Sequence, residues 1–164
     1  MKDNIININL ETSTAPVISE SRGRDFIEYG DANGDWRNLY PQFLIDLYYS
    51  SSITAAIVNS TAEMIAGENL IIEDEDVRDL EARVKLQNFM DRANSNESLH
   101  EVIKKLSFDF KLQGGFALNI VWARDRSQGI AEVYHVDVSK VRCARPDEFG
   151  KTPGYYISSD WTNT

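Results

Sequence analysis

A change of period at a double glycine constrains this chain more than any other feature. Upstream, Ser98-Leu-His-Glu101 has the spacing of a capping box, in which the serine hydroxyl and the glutamate carboxylate satisfy orphan N–H groups of a first helical turn. Leu99, Val102, Ile103, Leu106 and Phe110 follow three or four apart, which predicts an amphipathic helix. Gly114-Gly115 stops it. A double glycine also occurs in phosphate-binding loops, but no Lys-Ser/Thr follows and the glycines lead into a strand pattern, so the helix-stop reading is preferred. Downstream, Phe116, Leu118, Ile120 and Trp122 alternate with Ala117, Asn119 and Val121. The run Arg124 to Gly129 turns the chain, and Ile130 to Val136 is expected to return as the antiparallel partner. The predicted class is α+β, with three to four helices on a small antiparallel sheet. Its core is expected to hold Leu106 and Phe110 against a sheet face carrying Leu118 and Ile120.

The stretch Asn38 to Leu70 reads as two helices back to back. Pro41 suits a first helical position, where its missing N–H would be unpaired anyway. Phe43, Leu44, Leu47 and Tyr48 share one face of the first helix. Ser52 can cap a second helix from Ile53, whose expected inner stripe is Ile53, Ala56, Ile57, Ser60 and Met64, with Gly67 as its stop. Ala55, Ala56, Ser60 and Ala62 leave room for another element to pack close. Leu70 to Ile72 predicts a short strand. Glu73 to Asp76 predicts a solvated loop at a helix N-terminus, where the dipole favours negative charge. The next helix is expected from Val77 to Ala93, with Ala82, Leu86, Phe89, Met90 and Ala93 inward. Asp137 can cap a short helical turn to Lys140, and Val141 to Ala144 with Tyr155 to Ser159 predict a further hairpin.

Residues 1–25 are polar and punctuated and are read as a flexible N-terminal arm; 26–164 form the α+β domain. Ile6, Ile8 and Leu10 alternate with Asn7 and Asn9, which fits either a disordered tail or an arm pairing with the edge of a neighbouring subunit. Those three residues are the subunit-interface candidates. The chain stops soon after Trp161 with no closing helix, as a fragment of a longer protein would.

Chemistry is sparse. Asp31 to Asp35 begins like a calcium loop, but Trp36 stands where glycine is required and Gln42 where a bidentate glutamate is required. Cys143 is the one cysteine, which excludes an internal disulfide and a cysteine-based zinc site and fits a reducing compartment. Arg142 and Arg145 beside it can lower a thiol pKa, yet no base is at hand and a half-buried strand residue is the simpler reading. His135 is read as a packed strand residue, and no serine has a nucleophile-elbow context. Glu101, Asp109, Glu132 and Asp137 make a carboxylate pair only if the fold converges them. No catalytic, cofactor or metal residue is assigned. A formal net charge of −9 disfavours non-specific nucleic-acid binding. No apolar run reaches the length of a membrane span.

Three stretches resemble the N-terminal part of tailed-bacteriophage portal proteins. They are Asn38-Leu-Tyr-Pro-Gln with the helix pair ending in Met64-Ile-Ala-Gly67; Leu112-Gln-Gly-Gly-Phe-Ala-Leu-Asn-Ile-Val-Trp122; and Ala131 to Val136 running to Val141-Arg142, then Pro146 to Gly150. Their order and spacing, over residues 26 to 161, carry the resemblance. One departure is a loop insertion, Ala32 to Arg37, between Tyr29-Gly30-Asp31 and Asn38. The resemblance implies a wing-like structural subunit of a homo-oligomeric ring, expected to be a dodecamer, at one vertex of the virion capsid. It implies a conduit for genome packaging and ejection and a head-tail connection, assembled in the host cytoplasm. Its partners would be other portal subunits, the major capsid protein and, through parts outside this chain, terminase and a head-tail adaptor. DNA would pass through the ring without being gripped here. No enzymatic role and no cofactor are implied. The rival readings are a small metal-dependent nucleotide-processing enzyme and a stand-alone adaptor domain.

Overall fold

Pro41 stands in the first turn of helix α1 (Tyr40–Ser50), where its missing N–H costs nothing. The structure, a computed structural model, describes residues 25–29, 39–73 and 79–161. The interface candidates Ile6, Ile8 and Leu10, the calcium-like loop and the 32–37 insertion all lie outside those residues, as does the acidic run from Asp74 onward.

Helix α2 (Ser52–Ala66) begins one residue earlier than expected. Ser51, not Ser52, has the extended backbone of a cap, and its hydroxyl accepts the Thr54 N–H at 3.2 Å. Gly67 ends α2 at φ 71°, donating its N–H to Glu63 O at 2.9 Å. The buried face of α2 is also not the one the larger side chains predict. Val58, Ala62 and Ala66 are buried, while Ile53 and Met64 are 72% and 82% exposed and Ile57 is exposed with them. The reason is close packing against α4: the alanine-lined face lets two helix backbones approach, and bulky Ile and Met would hold them apart. On α1, Phe43, Leu44 and Tyr48 are half-buried and Leu47 is exposed.

Leu70 to Ile72 forms no strand. Helix α3 (Leu80–Asp91) starts after Asp79, whose carboxylate accepts the Glu81 N–H at 3.0 Å. Ala82 and Leu86 are exposed, Phe89 packs on the core, and Ala93 is fully buried beyond the helix end. Helix α4 (Leu99–Gln113) has both halves of its capping box: Ser98 Oγ accepts the Glu101 N–H at 3.3 Å, and Glu101 Oε2 accepts the Ser98 N–H at 2.7 Å. Gly114 closes it in the left-handed conformation at φ 76°.

Strand β1 (Ala117–Trp122) pairs antiparallel with β2 (Ile130–Val136) in the register Leu118 to His135 and Ile120 to Val133, with an irregularity after Val121. Asp137 caps the turn Val138–Lys140, and β3 (Val141–Cys143) pairs with β4 (Tyr155–Ile157). The two hairpins are separate two-stranded sheets, not one. The segment from Asp25 lies along the other edge of β3, with Ile27 N–H to Cys143 O and Arg145 N–H to Asp25 O both at 2.9 Å. The architecture is α+β, with four helices and two small antiparallel sheets among the described residues.

Ala93, Val102 and Val133 form the core cluster, with Phe89, Leu99 and Leu106 around it. Leu106 packs on the rim of this cluster, partly buried. Phe110, Leu118 and Ile120 do not fill the core as expected: they are 51%, 37% and 42% exposed. The register puts Leu118 and Ile120 on the same face as His135 and Val133, the α4 side. However, α4 packs over β2, so β1 overhangs the helix layer. Phe110 meets Phe116 edge-on instead, ring centroids 6.4 Å apart.

Candidate functional site

Asp109 sits seven residues after Val102 on the buried stripe of α4, so its carboxylate is carried into the interior and must find donors there. His135 supplies one, with Nε2 at 2.7 Å from Asp109 Oδ2. The Val138 N–H supplies another at 3.2 Å. Since the carboxylate can only accept, the proton of this bond sits on Nε2. The pair ties α4, β2 and the Val138–Lys140 turn together. It borders an open cleft of about 520 Å³ between α1 and α4, walled by Tyr48, Tyr49, Lys104, Phe108 and Leu112. A histidine–carboxylate pair can activate a neighbouring hydroxyl, thiol or water. Among the described residues, no serine, threonine or cysteine lines this cleft. The described residues also hold no cluster of three or more His, Cys, Asp or Glu that fits a metal ion.

Of the other carboxylates, Asp137 lines the same cleft as Asp109 and His135, whereas Glu101 and Glu132 do not. Glu101 is consumed by the capping box; hydrogen bonds from the Ser98 backbone and hydroxyl hold its carboxyl below the usual range. Glu132 accepts from the Tyr134 hydroxyl at 3.0 Å. Asp137 accepts from Ser139 N and Oγ at 3.0 and 2.6 Å. Burial raises its pKa, but those bonds and Lys140 outweigh burial and the net shift is downward.

No family model matches the chain, and no curated protein matches it.

Arg142 is the residue whose role the sequence concealed. Its side chain is fully buried. The guanidinium lies 4.7 Å from the Tyr29 ring centre and 4.9 Å from that of Trp161. Nη1 donates to Ser139 O at 2.9 Å and Val141 O at 2.8 Å. Burial pushes its pKa down to about 10, so it remains a cation at neutral pH. Phe26 packs on both Trp161 and Tyr156, so the cation locks the 25–29 segment and Trp161 onto the β3–β4 hairpin. Cys143 is half-buried on the opposite face of β3, beside a groove of about 640 Å³ lined by Phe116, Leu118, Val138, Tyr155 and Ile157. Arg142 is thus a structural clamp and does not serve the thiol.

The surface is unusual in what it leaves exposed. Ile53, Ile57 and Met64 on α2, and Phe110, Phe116, Leu118, Ile120 and Trp122 around β1, form two separate apolar faces. Large exposed apolar patches mark interaction sites. Among the described residues, no helix is long and apolar enough to cross a membrane.

Proposed function

We propose that this chain is a wing-like structural subunit of a portal-type ring at a virion capsid vertex, part of the conduit for genome packaging and ejection. The observation that carries the reading is the placement of the three resembling stretches. They fall on the α1–α2 pair, on the α4–β1 junction and on the run from β2 to β3 and the loop after it, in the family's order. The two exposed apolar faces support an assembly role for the same reason: a subunit built to pack against copies of itself keeps such faces for its neighbours. In this reading the ring is a dodecamer and the role is mechanical. The capsid protein, terminase and head-tail adaptor are partners of the assembled ring. Negative-stain imaging of the purified protein should give closed rings with a central channel. A monodisperse monomer at high concentration would overturn the proposal.

A further inference from the structure

We propose that copies of this chain join head to tail, with the outer face of α2 of one copy lying over the uncovered face of β1 of the next. The inference rests on the assembly reading above and names the faces that make the contact. The first face is a helix row: Ile53, Ile57 and Met64 lie on the side of α2 away from Val58, Ala62 and Ala66, which pack on α4. Among the described residues α4 and α1 pack on α2, and neither covers the Ile53, Ile57 and Met64 row, which stays exposed. The second face is a sheet row. Leu118 and Ile120 face the helix layer, with Phe110 and Phe116 at one end and Trp122 exposed at the other, and α4 lies over β2 and leaves them uncovered. A two-stranded sheet needs a helix on that face for a stable core.

The two faces match in length. From Ile53 to Met64 the helix row runs about 16 Å at 1.5 Å per residue. From Phe116 to Trp122 the strand row runs about 20 Å at 3.4 Å per residue. They also match in charge. No lysine or arginine occurs between Arg37 and Arg78, and the α2 row is framed by exposed Glu63 and Glu68, with Lys104 at the hollow beside them. The β1 row is framed by exposed Lys111, Arg124 and Arg126, three cations against one exposed acid among them, Asp125, whose carboxylate accepts the Ser127 N–H at 3.0 Å. An acid-framed helix and a base-framed sheet face select each other and disfavour pairing of like faces. Because the faces differ, the contact repeats from copy to copy, and it closes into a ring when the rotation allows.

The test uses the whole chain with Cys143→Ser, so that the native thiol is absent. One preparation carries Ile57→Cys and a second carries Ile120→Cys; both positions are exposed, and circular dichroism confirms that each variant is folded. After mixing and mild oxidation, the mixed disulfide is expected in large excess over either homodimer. Ile57→Glu should weaken self-association about thirtyfold in sedimentation, as loss of an interface anchor does. Rings or oligomers that form without the mixed disulfide and survive Ile57→Glu would overturn this contact while leaving the ring reading intact. A dominant Ile120→Cys homodimer would also overturn it, in favour of sheet-to-sheet pairing. A chain that never associates would overturn both.

Discussion

Asp109 and Arg142 show how single polar side chains organise this fold from inside. Asp109 holds His135 and the Val138 N–H, and removing its carboxylate strands two donors in a poorly solvated place. Asp109→Ala should therefore destabilise the chain by about 1–3 kcal/mol in urea melts, whereas a catalytic Asp109 would be replaceable at little structural expense. His135→Phe removes the partner of a buried carboxylate and should be comparably harmful. For Arg142 the expected contrast is with lysine. Arg142→Lys keeps the charge but loses the planar group that stacks between Tyr29 and Trp161 and the Nη1 bonds to Ser139 O and Val141 O. The substitution should loosen Trp161, seen as a red shift and increased quenching of tryptophan emission. Unchanged emission would show that the cation, not its shape, is what matters. Asp109 was legible in part, because its seven-residue offset from Val102 places a carboxylate on an apolar stripe. Arg142 was not, because its aromatic partners lie more than a hundred residues apart in sequence and meet only when the 25–29 segment pairs with β3.

Elements with strong local signals formed where their sequences placed them. The capping box of α4, the stop at Gly114, the β1–β2 hairpin, the Asp137-capped turn and the β3–β4 pairing all follow from neighbouring residues alone. What the sequence did not disclose is which face each element buries. The α2 helix carries apolar residues on both sides, and the choice fell to the alanine face because α4 approaches closely there. On β1 the alternation gives the face but not its coverage, since the lateral position of α4 over β2 is a tertiary fact. The His135–Asp109 pair is not legible in the sequence for the same reason: it depends on that placement. Two measurements belong at this scale. Ser98→Ala should cost α4 about 1 kcal/mol. Glu101 has its pKa lowered in the folded chain, so its contribution is present above the ordinary value of 4.5 and is lost as pH falls through and below that value. The stability gap between Ser98→Ala and the parent should accordingly narrow in acid. A gap that widens in acid would mean the capping box is not what Ser98 provides. Phe110→Ala should destabilise the isolated chain by about 1 kcal/mol, well below the 3–5 kcal/mol of a fully buried phenylalanine, because half of its surface is still wet.

At the scale of the whole molecule the question is whether this domain touches DNA. Duplex binding at physiological salt requires several lysines or arginines converging on phosphates, each releasing counterions. The chain has 17 basic residues against 26 acidic ones, and the fold withdraws several of the bases. Arg142 is buried. Lys85 pairs with Glu81 at 2.9 Å, Lys140 lies 3.6 Å from Asp137, and Lys105 is bonded to Glu97. Arg124 and Arg126 stand exposed on the turn after β1, where they offer one or two phosphate contacts with Asp125 between them. Two contacts do not hold a duplex against the repulsion of a chain with a net charge of −9. The expected result is no saturable binding of labelled duplex at about 0.15 M salt, where the Debye length is about 8 Å and only charges close to the backbone count. This also suits a ring subunit on the outer side of a DNA conduit, since a channel that lets DNA slide must not grip it. Saturable binding in the low micromolar range, falling steeply with added salt, would overturn the prediction. On the ring proposal, it would mean that the Lys111, Arg124 and Arg126 edges of successive copies form one basic band, and it would shift the proposed place of this domain from the outer side to the DNA path.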